Sequence, residues 1–231
     1  MKTIGLIGGM SWESSAIYYK IVNQKIKENL GGVHSSKCMM ISVDFHEIAH
    51  LQHSNDWETL EKMMVEAAQN LEKSGADFIL LCTNTMHKLA DKIQENISIP
   101  FIHISDAISE AILEKNITKI GLLGTKFTME QDFLKKRISK NNNIECIIPN
   151  ENQREIIHNI IYNELVKGII SDASRLEFLK IIDDLVQLGA QGIVLGCTEI
   201  GLLISNEFTN HLLFDTTKIH AEKAVKLSLE N

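Results

Sequence analysis

Proline is scarce, with only Pro100 and Pro149 in 231 residues, which argues against a long structureless linker. Cysteine is sparse too. Cys38, Cys82, Cys146 and Cys197 are irregularly spaced in a chain without export features. The opening MKTIGLIGGMSW is broken by glycines and followed by Glu13, so it reads as a first strand rather than a signal peptide. A reducing cytoplasm with four free thiols is the expectation. No apolar run approaches the length of a membrane span. Lys and Arg total 23 against 30 Asp and Glu, a formal net charge of −7 with no basic cluster to offset it. That excludes the electrostatic footprint of a nucleic-acid binder.

What is present is an ordinary globular balance, 44% hydrophobic and 23% charged, in a chain long enough to bury a sizeable core. At roughly 150 residues per domain the length corresponds to about one and a half domains, which suggests two small lobes. Strand and helix signals alternate. Lys2 to Gly8 is a β-branched run closed by glycines, and Ser14 to Leu30 has a helical pattern ending at Gly31-Gly32. Cys38 to Val43 returns to strand character. Asp56 caps a helix running to about Ser74, with Gly75 ending it. Phe78 to Leu81 is fully apolar, as a central parallel strand requires. A helix over Met86 to Asn96, a short strand near Pro100 to Ile104 and a C-terminal helix over Thr217 to Leu229 are also expected. The class is α/β with parallel sheets flanked by helices.

Internal repetition is more informative than the strand count. GADFILLCTNT begins at Gly75 and GAQGIVLGCTE at Gly189, an offset of 114 that pairs Thr83 with Cys197 and Asn84 with Thr198. TIGLIGG begins at Thr3 and KIGLLGT at Lys119, an offset of 116. Thr128 to Gln131 then has a Thr-x-x-Gln capping-box pattern and is expected to open a helix. We infer a duplicated unit: a first lobe over 1–104, to which a C-terminal helix (216–231) returns, and a second lobe over 105–215. The ligand site is expected in the cleft between the two pseudo-symmetric lobes.

In open parallel sheets ligands bind outside the carboxyl ends of the strands. Four loops qualify: Gly8 to Trp12, Cys82 to His87, Gly124 to Thr128 and Gly196 to Glu199. A pseudo-twofold axis would bring Thr83 and Cys197 to a bound molecule from opposite sides. Each precedes an expected helix, whose first amides favour negative charge. Cys197 is therefore expected to have a thiol pKa below the free value of about 8.5 and to act as a base. Two proton-transfer groups facing a small carbon acid can invert a stereocentre. Cys38 and Cys146 read instead as small buried hydrophobes, and Cys82 as strand filler whose side chain alternates away from that of Thr83.

GLIGGMSW, CTNTMH and LGCTEIGLL, with the duplicated lobes, resemble the aspartate/glutamate racemase family over the whole chain. SVDFHEI and TMEQDF bring the resemblance closest to the bacterial L-aspartate/glutamate-specific racemases. The resemblance implies a pyridoxal-phosphate-independent racemase with no cofactor or metal, using two-base proton transfer on a small-molecule amino acid. A homodimer is also implied. Most of the family has a catalytic cysteine in each lobe. Cys197 matches the second, whereas the first motif here reads Thr83-Asn84-Thr85, with Cys82 one place early. By resemblance Met10, Gln52, Thr83, Asn84, Thr85, Thr198 and Glu199 contact substrate. Lys167 in ELVKG matches a lysine that pairs with the side-chain carboxylate. Thr125, in the loop after the Lys119 strand, is counted with the binding residues. Aspartate-specific relatives place an arginine near HEIAHLQ, and none stands here, which leaves the second carboxylate anchor open.

His46-Glu47-Ile48-Ala49-His50 matches the zinc motif H-E-x-x-H, with Asp56 where some zinc proteases place a third ligand. The motif follows the strand ISVDF closely, is not expected to be helical throughout and has no counterpart in the second lobe. No metal site is therefore expected. GLIGGM lacks the G-x-G-x-x-G spacing, and Gly124-Thr125-Lys126 lacks that of a phosphate loop. His87, His103 and His220 read as satisfied structural histidines more readily than as polar lining. Other function classes stay open: a non-catalytic or weakly active amino-acid-binding homologue, motivated by the missing cysteine at position 83, and a hydantoin racemase or maleate-type isomerase of the same architecture.

Overall fold

In a computed structural model that describes residues 1–140 and 143–230, the chain divides into two compact units. The first holds residues 1–104 and the chain from His220 onward, and the second Ser105–Ile219. No helix among the described residues is long and apolar enough to cross a membrane.

The first unit contains β1 (Ile4–Gly8), α1 (Trp12–Leu30), β2 (Cys38–Ser42), α2 (Phe45–His53), α3 (Trp57–Lys73), β3 (Phe78–Leu81) and α4 (Ala90–Glu95). Its sheet is parallel in the order β2-β1-β3. Alternate strand residues face opposite ways, as the pleat requires. Ile7, Ile79 and Leu81 pack with Leu60, Met64, Ala68 and Leu71 of α3. Ile4, Leu6, Phe78 and Leu80 pack with Tyr18, Val22 and Ile26 of α1. Burial on both faces accounts for the unbroken apolar run FILL.

The second unit contains β4 (Lys119–Gly124), α6 (Lys126–Glu130), α7 (Asp132–Lys140), β5 (Glu145–Ile147), α8 (Glu151–Asn163), α9 (Asp172–Gln187), β6 (Gly192–Gly196), α10 (Ile200–Leu203) and β7 (Leu213–Asp215). Helix α5 (Ile104–Glu114) precedes β4, and α11 (Thr216–Leu229) follows β7. The sheet order is β5-β4-β6-β7, all parallel.

The two sheets repeat one plan at the level of register. Ile4 pairs with Phe78 in the first, and Ile120 with Gly192 in the second. These pairs stand at the offsets 116 and 114 seen in the sequence. Where the second sheet adds β7 beside β6, the first has a single parallel bridge from Ile79 to Phe101.

Several expected boundaries shift. The helix expected from Thr128 starts earlier, because Thr125 is the cap: its hydroxyl accepts the Thr128 amide at 3.2 Å. Gln131 ends that helix in extended conformation rather than closing a capping box. The helix expected over Met86–Asn96 is a 3₁₀ turn (Thr85–Leu89) followed by α4. The strand expected near Pro100–Ile104 reduces to the Phe101 bridge. The segment HEIAH is helical throughout, contrary to expectation, because Asp44 accepts the His46 amide at 2.9 Å and starts α2 at Phe45.

Candidate active site

All the singled-out residues except Gln52 and Lys167 lie just past the carboxyl ends of β1, β3, β4 and β6. In the first unit, β1 and β3 are paired through Ile7 and Leu81, so the stretches Gly8–Met10 and Cys82–Thr85 leave the sheet side by side. Serines from the first turn of α1 fasten both. Ser15 Oγ accepts the Gly9 amide at 2.7 Å and donates to the Ser11 carbonyl at 2.9 Å. Ser14 Oγ donates to the Cys82 carbonyl at 3.1 Å. Gly9 has φ +95°, and a Cβ there would run into the Val43 backbone, so only glycine fits the turn.

Thr83, Asn84 and Thr85 are all buried, at 8%, 3% and 7% exposure. Met10 belongs to the apolar cluster that also holds Met86. Gln52 projects from α2 into the same region, where its amide donates to Met86 Sδ at 3.2 Å. Cys82 faces the α1 side of the sheet and is fully buried, and burial pushes its thiol far up. That burial supports its reading as strand filler.

In the second unit, Gly124 pairs with Gly196, which brings Thr125 and Cys197 to one edge of the sheet. The Thr125 hydroxyl is engaged in capping α6 and lies 3.2 Å from the Thr128 hydroxyl. Cys197, Thr198 and Glu199 are all buried. Cys197 Sγ donates to Glu199 Oε2 at 3.0 Å, and Thr198 Oγ1 donates to the same oxygen at 2.6 Å. One carboxylate oxygen thus gathers both neighbours.

This arrangement overturns the expected depression of the Cys197 pKa. Burial raises it well above the ordinary thiol value, and the Glu199 carboxylate raises it further. The backbone amides of Glu199 and Ile200 do lower it, but they are outweighed. The helix behind them is the four-residue α10, too short for an appreciable dipole. Cys197 therefore rests as a neutral thiol.

Lys167 is exposed, in a 3₁₀ turn (Leu165–Lys167) that packs against α10 and is closed by left-handed Gly168. It stands on the unit that carries Cys197. Tyr162 escaped sequence reading. It packs on the apolar cluster that includes Cys197, and burial first, with the neighbouring Glu199 carboxylate, pushes its phenol up. The available signal was its place four residues after His158, whose ring it meets at 4.7 Å on one face of α8. Asp215, unassigned from sequence, accepts the Lys218 amide at 3.1 Å and presses against Gly201, where a Cβ would come within 2.9 Å of its carboxylate.

His46, Glu47 and His50 are exposed on α2, and Asp56 is the cap of α3, accepting the Thr59 amide at 3.1 Å. Among the described residues no group of three or more His, Cys, Asp or Glu is gathered to hold a metal ion.

The profile of the Asp/Glu/hydantoin racemase family matches residues 7–224. The crystal structure of a candidate Asp/Glu racemase from Yersinia pestis superposes with a TM-score of 0.93 at 48% identity, covering 100% of both chains. An aspartate racemase homologue from Pyrococcus horikoshii superposes with a TM-score of 0.87 at 33% identity, again over 100% of both. The broad-specificity amino-acid racemase of Bacillus subtilis is 25% identical over 183 residues, 75% of this chain and 74% of its own. With matching extending over nearly its whole length, the chain belongs to the Asp/Glu/hydantoin racemase family.

Proposed function

We propose that the protein is an amino-acid racemase acting on L-glutamate or L-aspartate without pyridoxal phosphate, with Cys197 as base and Thr83 as the opposing acid. The observation that carries this reading is the repeated register: Thr83 and Cys197 follow equivalent strands at equivalent positions, and the thiol is hydrogen-bonded to a buried carboxylate.

The resting thiol must ionise before it can act. Glu199 accepts the thiol hydrogen bond and does not take the proton, which leaves to solvent. Its negative charge is instead what a substrate ammonium offsets on binding, and that lowers the thiol pKa at the moment it is needed. The Cys197 thiolate then removes the α-proton from one face of the substrate. Thr83 donates its hydroxyl proton to the other face; Cys197 is then back as the resting thiol, and the Thr83 alkoxide takes up from solvent a proton equivalent to the one the thiol released on ionising. The route is slow at one end, since a threonine hydroxyl donates a proton usefully but is a weak base in reverse.

Chiral chromatography of a panel of L- and D-amino acids tests the proposal. Conversion of glutamate or aspartate that disappears in Cys197→Ser supports it. Binding without conversion sinks it in favour of an amino-acid-binding homologue, the reading that the threonine at position 83 favours. Conversion confined to hydantoins or to a cis–trans isomerisation would sink it in favour of the related activities.

A further inference from the structure

Both peptide carbonyls that flank Thr83 are held by side chains. The Cys82 carbonyl accepts from Ser14 Oγ at 3.1 Å, and the Thr83 carbonyl accepts from His87 Nδ1 at 2.7 Å. The second contact replaces a backbone bond. In an α-helix the His87 amide would reach Thr83, four residues back. Here it goes to the Asn84 carbonyl at 3.1 Å, the three-residue spacing of a 3₁₀ turn, and the imidazole ring serves Thr83 instead.

The other ring nitrogen, Nε2, accepts the Ile104 amide at 3.2 Å. A carbonyl can only accept and an amide can only donate, so these partners require the neutral tautomer with its proton on Nδ1. At 2% exposure the ring is enclosed, with the His103 ring at 4.7 Å and the Phe101 ring at 5.6 Å. His220 lies at 5.8 Å and is itself fixed through the Tyr18 hydroxyl at 2.9 Å and the Ile102 carbonyl at 2.8 Å. The second unit has no side chain at the equivalent position to make such a strap. The position equivalent to His87 at the offset of 114 is Gly201, and the carboxylate of Asp215 lies against it.

We propose that His87 is a positioning residue for Thr83. Its ring ties the Thr83 peptide at the end of β3 to the start of α5, and it holds the threonine hydroxyl in register for proton delivery. The proposal rests on the reading of Thr83 as the acid opposite Cys197. It predicts an effect confined to the Thr83 half of the reaction, because the Cys197 thiol is held by its own hydrogen bond to Glu199.

The test uses three variants. In His87→Asn the amide nitrogen takes the place of Nδ1 and can still donate to Thr83. In His87→Gln the amide group reaches the place of Nε2, so Ile104 keeps an acceptor while Thr83 loses its donor. His87→Leu supplies neither, and circular dichroism checks its folding. For each, racemisation of L-glutamate is compared with wash-out of its α-proton in deuterated water, which reports on Cys197. Racemisation should fall about 100-fold in the Gln and Leu variants and stay within about threefold in Asn, with wash-out within about twofold in all. An equal fall in both rates, or full racemisation in His87→Gln, overturns the proposal. A wild-type protein that neither racemises nor exchanges overturns the proposed function instead. The strap is then judged by the ¹³C shift of the Thr83 carbonyl, which should move in His87→Gln and not in His87→Asn; an unmoved shift in His87→Gln overturns it.

Discussion

The Cys197 thiol donates a hydrogen bond of 3.0 Å to the Glu199 carboxylate, so the nucleophilic atom of the second unit rests protonated beside a negative charge. Glu199 therefore stabilises the thiol and opposes the thiolate. Replacing it by glutamine keeps an acceptor for the sulfur and removes the charge, so the thiol pKa should fall. The pH dependence of Cys197 alkylation by iodoacetamide should move to lower pH in Glu199→Gln. Racemisation should nevertheless drop by about 100-fold, because the charge proposed to receive the substrate ammonium has gone. An alkylation profile that stays put or moves to higher pH would show that the carboxylate does not control the thiol.

In the proposed reaction Thr83 and Cys197 are unequal partners, and thermodynamics limits how that inequality can appear. Free enantiomers have equal energy in achiral water, so kcat/KM must be equal in both directions for a true racemase. Slow chemistry at Thr83 must depress both directions, while exchange at the Cys197 face can stay fast. L-Glutamate should lose its α-proton to deuterated water faster than it racemises, and equal rates would count against the assignment of roles. Thr83→Cys should raise racemisation of both enantiomers by about ten- to 100-fold. No gain in either direction would remove Thr83 from the reaction.

Much of this arrangement is legible in the sequence, for identifiable reasons. The strands FILL and GIVLG are buried on both faces, so their apolar runs are unbroken, and the repeat survives as an offset that the pairing of Ile4 with Phe78 and Ile120 with Gly192 reproduces. Local chemistry was less decisive. Thr125 and Thr128 are both capping residues by type, and only the folded turn shows which hydroxyl accepts the amide. CTNTMH cannot reveal whether the His87 amide bonds three or four residues back, and the role of its ring depends on that choice. The sign of the Cys197 shift is not legible in the sequence, because amides along the chain are visible there whereas burial by distant apolar residues, the largest cause of the rise, is not.

Burial raises the thiols of Cys82 and Cys197, and that of Cys146 up to about 12. In the unfolded chain each ionises near its ordinary value of 9.0. The folded state thus holds protons that the unfolded state releases, and this stabilisation is intact below pH 9. As pH rises above that value, each such thiol favours unfolding by about 1.4 kcal/mol per pH unit until its folded pKa is reached. Urea midpoints should therefore decline between pH 8.5 and 10.5. The decline should be shallower in Cys82→Ala than in the wild type, measured against each protein's own value at pH 7. An identical slope in the variant would mean that Cys82 already ionises in the folded protein.

Gly9 links the end of β1 to the loop bearing Met10 at φ +95°, with its amide fixed to Ser15 Oγ at 2.7 Å and no room for a Cβ beside Val43. Gly9→Ala has to strain this turn or push the start of the β2–α2 connection away. Either cost is about 1–3 kcal/mol, read as a lower urea midpoint with an unchanged slope. Gly75 also has positive φ, +96°, but no neighbour within 4 Å of an added Cβ, so Gly75→Ala isolates the backbone term alone. Gly9→Ala should be the more destabilising of the two. Because Gly9 leads into Met10 beside the Thr83 loop, it should also slow racemisation at temperatures where the variant remains folded. Equal destabilisation by the two substitutions would mean that the Val43 backbone yields freely, and that the Gly9 turn is not a rigid support for this edge of the site.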